Sequence, residues 1–160
     1  MNALAEEIGT LLRRRGLTLG AVESATGGLI SHLVTDVPGS SDFYQGSVTS
    51  YSNSVKMKVV GVKATTLKKH GAVSPQVAEE MASGGRQVLG VDICISDTGI
   101  AGPGGAVPGK PVGLFYLGLA TQDGVFHRKL ELSGGRSQNK LAAAVAALEW
   151  VKEYLVSLKD

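Results

Sequence analysis

Helix-like and strand-like stretches alternate along most of this 160-residue chain, and near its end two β-rich runs meet at a short turn. Residues 3–15 put Leu4, Ile8, Leu11 and Leu12 on one face. Glu6 and Glu7 lie near the start, Arg13, Arg14 and Arg15 near the end, and Gly16 stops the helix. Residues 17–23 are short and apolar, a strand. Gly27-Gly28 then opens a helix-like stretch that Pro38-Gly39 closes, and residues 43–51, rich in Phe, Tyr, Val and Thr, read as a second strand. A short helix runs from Asn53 through Lys56 and Val59 to Gly61. Ser74 as cap and Pro75 at the first helical position start another, in which Gly84-Gly85 points to close packing or a bend. Residues 91–98 form a strand and 99–111 a glycine-rich loop. Residues 112–121 and 125–132 flank a Gln122-Asp123-Gly124 turn, and 136–158 form a long terminal helix. With no internal repeat and no linker, residues 1–160 read as one domain. The alternation implies α/β architecture: a layered α/β/α domain with a mixed, mostly parallel sheet.

Composition removes several classes of function. Hydrophobic residues make up 43% and charged residues 19%, which is the balance of a folded chain with a core. Aromatics reach only 5%, and the sixteen Lys and Arg are scattered to a net charge of +2, so neither a base-stacking platform nor an anionic-surface binder is indicated. The N-terminal residues carry acids before basics and no long apolar run, unlike a secretory leader, and no stretch reaches membrane-spanning length. The expectation is a cytoplasmic protein without nucleic-acid or membrane partners. Cys94 is the single cysteine. It can form no internal disulfide, lies in an apolar run, and reads as a buried structural thiol. No Cys/His cluster suggests a metal. His32, His70 and His127 have no Ser or acid partner at a triad-like spacing and read as structural or surface residues.

In an open α/β sheet, ligands bind beyond the carboxyl ends of the strands. Three strand ends here are rich in polar groups and glycine. In Glu23-Ser24-Ala25-Thr26-Gly27-Gly28, a sharp strand-to-helix turn would present the Ser24 hydroxyl among backbone N–H groups, the geometry of a nucleophile with an oxyanion hole; an ordinary helix cap fits the same residues. In the stretch 49–56, Lys56 lies in the first turn of a helix, where the dipole disfavours its charge and suits it to act as a base, with Tyr51 placed to orient or relay a proton. A surface lysine and a core tyrosine are the plain alternative. In the stretch 96–105, Thr98 and the amides around Gly99 and Gly102 suit a phosphate or carboxylate. The glycine spacing there is not G-x-G-x-x-G. Gly104 to Lys110 has P-loop spacing, but Pro111 stands where a Ser or Thr is needed. Arg136, after Gly134-Gly135 at the start of the last helix, would share an anion with the helix N-terminus; a solvated arginine is the alternative.

The motifs ESATGG (23–28), PGSSDF (38–43), TSYSNSVK (49–56), HGAVS (70–74), TGIAGPGG (98–105), KPVG (110–113) and SGGR (133–136), in this order, resemble the CinA C-terminal domain family over nearly the whole chain. The expectation is a stand-alone member, without the molybdopterin-binding-like domain of the longer CinA proteins. The resemblance implies a hydrolase that removes ammonia from the carboxamide of nicotinamide mononucleotide, using a serine and a lysine and neither metal nor organic cofactor. Carried over by motif, the serine falls on Ser24 and the lysine on Lys56, with Tyr51, Thr98 and Arg136 at assisting and ligand-binding positions. Backbone groups of Ala25, Thr26, Gly27 and Gly28 would hold the oxyanion, and Arg136 with the Gly99–Gly105 stretch the 5′-phosphate, with Ser41 nearby. Ser41 is also the second choice of nucleophile. The motif usually reads ESCTGG, and Ala25 stands where the cysteine would be, so a serine nucleophile is needed for activity. The remaining reading is a binding module that holds a pyridine nucleotide or related phosphate without turnover. A homodimer is expected on base rates.

Overall fold

A computed structural model of the chain describes residues 2–159. Leu19, Ala21 and Val22 in β1 (Leu19–Glu23) are fully buried, because this strand lies inside the sheet and is covered on both faces. On one side of it runs β2 (Tyr44–Thr49) and on the other β3 (Ile93–Gly99), both parallel to it. Then β4 (Leu114–Thr121) and β5 (Gly124–Glu131) follow as an antiparallel hairpin, so the order is β2-β1-β3-β4-β5. The sheet is mixed, as the alternation followed by a hairpin implies.

Helices cover both faces. On one lie α1 (Asn2–Arg15), α2 (Leu29–Thr35) and α6 (Arg136–Ser157), whose Ile8, Leu12, Ile30, Leu148, Val151 and Leu155 pack on Leu19, Ala21, Ile93, Ile95, Leu117 and Leu119. On the other lie α3 (Asn53–Val60), α4 (Ala64–His70) and α5 (Pro75–Leu89), where Val60, Val77 and Met81 meet Val22, Val91 and Cys94. Cys94 is a buried core residue, and burial pushes its thiol up to about 12.

The end signals act as expected. Ser52 caps α3 by accepting from the Val55 amide at 3.1 Å, and Ser74 caps α5 by accepting from Val77 at 3.2 Å with Pro75 in the first turn. The glycine pair in α5 is a close-packing device and leaves the helix continuous. A Cβ on Gly84 would strike the Val60 carbonyl, and one on Gly85 the side chains of Val22 and Cys94. This seats α5 against both the end of α3 and the middle of β1. The sequence signals left out α4: residues 64–70, ATTLKKH, carry a single large apolar side chain, Leu67, and so show no amphipathic period. A one-turn 3-10 helix, Ser40–Asp42, precedes β2. Among the described residues, no helix is long and apolar enough to cross a membrane.

Candidate active site

The parallel strands β1, β2 and β3 end side by side, and the chain leaves each of them in a polar turn. Glu23, the last residue of β1, is fully buried. Its carboxylate accepts from the amides of Gly28 (3.2 Å), Ile30 (2.7 Å) and Ser31 (3.1 Å), which anchors the start of α2 that no side chain caps in the usual way. Beside it on β3, Asp97 is also fully buried and accepts from the amides of Ser24 (3.0 Å) and Thr26 (3.1 Å). Thr26 Oγ1 lies 2.8 Å from Glu23 Oε1 and 2.5 Å from Asp97 Oδ1. Gly27 and Gly28, with φ of 61° and 107°, complete a turn that only glycine adopts readily. The result is a clamped loop with Ser24 at its head. Burial pushes the Asp97 carboxyl up to about 6, against its hydrogen bonds from Thr26 and Ser24.

Lys56 reaches the same point from α3. It is 2% exposed, and its Nζ lies 3.0 Å from Ser24 Oγ and 2.9 Å from the Tyr51 carbonyl oxygen. Burial lowers its affinity for a proton below that of a free lysine, with the Asp97 charge opposing the shift. Its position in the first turn of α3 acts in the same direction as burial. The Tyr51 carbonyl can only accept, so it fixes one N–H of the amine. The Ser24 contact is the reversible one: a charged Lys56 donates to Oγ, and a neutral one accepts the hydroxyl proton.

Ser24 and Lys56 open onto a cavity of about 310 Å³ also lined by Ala25, Tyr51, Asn53, Ala72, Val73, Thr98, the stretch 99–102, Gly104, Gly105 and Arg136. Thr98 donates its hydroxyl to the Ala72 carbonyl at 2.8 Å. The first turns of α6 pin the glycine-rich stretch: Arg136 Nη1 donates to the Gly102 carbonyl at 2.8 Å, and the buried Asn139 donates to the carbonyls of Ala101 (3.0 Å) and Gly134 (2.9 Å). Arg136 Nη2 donates to the Tyr51 hydroxyl at 3.3 Å. One wall therefore offers a hydroxyl beside an amine, and the other offers a guanidinium at a helix N-terminus.

Most of the residues singled out in the sequence meet here: Ser24, Ala25, Tyr51, Lys56, Thr98, Gly99, Gly102 and Arg136 line one space. Others do not. Ser41 precedes β2, at the end of the sheet opposite to Ser24, beside an Arg13–Asp42 ion pair, so it can serve neither as nucleophile nor as ligand in this cavity. Thr26, Gly27 and Gly28 are not among the residues that line the cavity. The expected row of free amides reduces to one. Ser24, Thr26, Gly27 and Gly28 donate internally, and among the described residues only the Ala25 N–H of this turn has no acceptor. Tyr51 meets Lys56 through its carbonyl, while its 61%-exposed ring lies out against Arg136, so the phenol does not relay the lysine's proton. Sequence reasoning missed Asp97, Glu23 and Asn139. An acid inside an apolar strand, ICISDTG, was the available signal for the first.

The family model of the CinA C-terminal domain matches residues 1–155. A relative from Halothermothrix orenii, named for competence-damage inducibility, is 50% identical over 96% of this chain, and a CinA-like protein from Kosmotoga olearia is 46% identical over 98%. The chain spans only 37% and 38% of the lengths of these two curated relatives. Among solved structures, the competence/damage inducible protein CihA from Agrobacterium tumefaciens is 38% identical, with TM-score 0.91 over 95% of this chain and 93% of that one. The competence damage-inducible protein A from Klebsiella pneumoniae is 30% identical, with TM-score 0.95 over 99% of this chain and 98% of that one.

Proposed function

The chain belongs to the CinA C-terminal domain family, and on that premise we propose that it is an amidohydrolase that converts nicotinamide mononucleotide to nicotinic acid mononucleotide and ammonia, a step of pyridine-nucleotide salvage. The observation that carries this reading is the desolvated Lys56 amine 3.0 Å from the Ser24 hydroxyl at the wall of a ligand-sized cavity. The substrate comes from the family resemblance. The cavity supports it by pairing a nucleophile at one wall with an anion site, Arg136 and the start of α6, at the other.

Neutral Lys56 accepts the Ser24 proton as Oγ attacks the carboxamide carbon, and the carbonyl electron pair moves onto oxygen. The Ala25 N–H donates to that oxyanion, as the amide of the residue after a nucleophile commonly does. Lys56, now an ammonium, returns its proton to the amide nitrogen, the C–N bond breaks and ammonia leaves. Water then attacks the Ser24 ester with Lys56 again taking the proton, and the acid product and free Ser24 are regenerated. No step calls on the missing cysteine of the usual motif, so Ala25 in its place is compatible with turnover.

The test is ammonia release from nicotinamide mononucleotide by purified protein in EDTA. Stoichiometric nicotinic acid mononucleotide supports the reading. Tight binding of the mononucleotide with no ammonia would instead favour a nucleotide-binding module.

A further inference from the structure

The amidase reading leaves the two buried carboxylates beneath Ser24 without a role. Thr26 Oγ1 is within hydrogen-bond distance of both, 2.8 Å from Glu23 Oε1 and 2.5 Å from Asp97 Oδ1. A threonine hydroxyl has one proton to give. With both carboxylates ionised, one of these contacts would face lone pair against lone pair inside the protein, where an unmade hydrogen bond is costly. One added proton resolves the conflict: one carboxyl donates to Oγ1, and Oγ1 donates to the other.

The partners decide which carboxyl takes it. Glu23 has its lone pairs taken up by three backbone amides. Asp97 accepts from two and is fully buried, and its partner across β4 is Leu117. The charged groups facing it are Glu23 at the end of β1 and Lys56 on α3. We propose that Asp97 binds this proton and is the positioning residue of the Ser24–Lys56 pair: it fixes the Ser24 turn through two amides, and its charge sets how readily Lys56 gives up its own proton. The catalytic meaning of this rests on the amidase reading, but its physical content is a pair of titrations that need no substrate. When Asp97 is protonated, the Lys56 ammonium loses a compensating negative charge and deprotonates more easily. When Asp97 ionises, the ammonium is favoured.

The experiment is carbon-13 NMR of the Asp and Glu carboxyl groups and the lysine Cε of the ligand-free protein, from about pH 3 to about pH 11.5, a range that spans both ordinary values. The Asp97 carboxyl, identified by its absence in Asp97→Asn, is expected to titrate near 6. Glu23→Gln should move that midpoint down, since it removes the charge repulsion, and Thr26→Ser should leave it in place. Asp97→Asn should move the Lys56 midpoint down. An Asp97 carboxyl ionised throughout the range, or a Lys56 midpoint identical in wild type and Asp97→Asn, overturns the proposal. Should Asp97→Asn not fold, sequential assignment of Asp97 and the direction of its shift in Glu23→Gln still decide the matter. Both titrations in a protein that releases no ammonia would uphold this coupling and contradict the amidase reading. Ammonia release without them would do the reverse.

Discussion

Two regions of this molecule place charged side chains about 3 Å from their partners, with opposite consequences. On the hairpin surface, Arg128 pairs with Glu153 at 2.7 Å and Lys129 with Glu131 at 3.0 Å, all with side chains 44–75% exposed. Beneath the cavity, Glu23 and Asp97 are 0% exposed and Lys56 is 2% exposed, and their hydrogen bonds go to amides, hydroxyls and a carbonyl. Water screens the first set and makes each pair a minor contributor. Its exclusion from the second set moves the proton affinities of Asp97 and Lys56, which is what an acid–base site needs. Burial, more than contact distance, separates the two.

The largest effect should come from the buried set. Ser24→Ala and Lys56→Ala are each expected to lower kcat for ammonia release by about 10³-fold or more, measured by coupled assay. Lys56→Met should do the same and yet raise the thermal midpoint, because it removes a desolvated amine while keeping its apolar stem, a gain of roughly 1–2 kcal/mol. A fall in stability would erase the contrast with the surface pairs. Asp97 comes next. Its folded midpoint near 6 lies above the ordinary 3.8, so between these values the native state holds more protons than the unfolded chain. The stability it contributes is complete below the ordinary value and is lost as pH rises through about 6. Denaturant unfolding of wild type should therefore lose about 3 kcal/mol over that window, and Asp97→Asn should lose little of it. Arg136→Ala, at the exposed rim, should raise KM for the mononucleotide about tenfold and leave kcat nearly unchanged, with little change in KM for the dephosphorylated nucleoside. Smallest of all, Glu153→Gln should change unfolding free energy by no more than about 0.5 kcal/mol, since Arg128 also keeps its place over the Trp150 ring.

How far the chain could be read in advance follows the same division. The helices with caps and apolar stripes, the apolar strands and the hairpin turn carry local signals, and they stand where those signals put them. Helix α4 lacks such a stripe and went unread. Ser24 and Lys56 were legible because strand-to-helix turns mark the ligand end of an α/β sheet. Ser41 misled because a motif beside a strand does not say which end of the sheet it occupies. The role of Asp97 could not be read at all: the amides that it clamps lie 73 and 71 residues away in sequence, and only the parallel pairing of β1 and β3 brings them together. The Thr26 amide is lost to the same clamp, that of Gly27 to the Ser24 carbonyl and that of Gly28 to the Glu23 carboxylate.

The most direct test of a desolvated lysine activating Ser24 is the pH dependence of labelling by a fluorophosphonate, which needs no knowledge of the substrate. The label should be found on the Ser24 peptide, its rate should rise with pH to a plateau reached below the ordinary lysine value, and Lys56→Ala should slow it by about 10²-fold or more and abolish that rise. Labelling of another residue, or equal rates in wild type and Lys56→Ala, would contradict the assignment of Lys56 as the base.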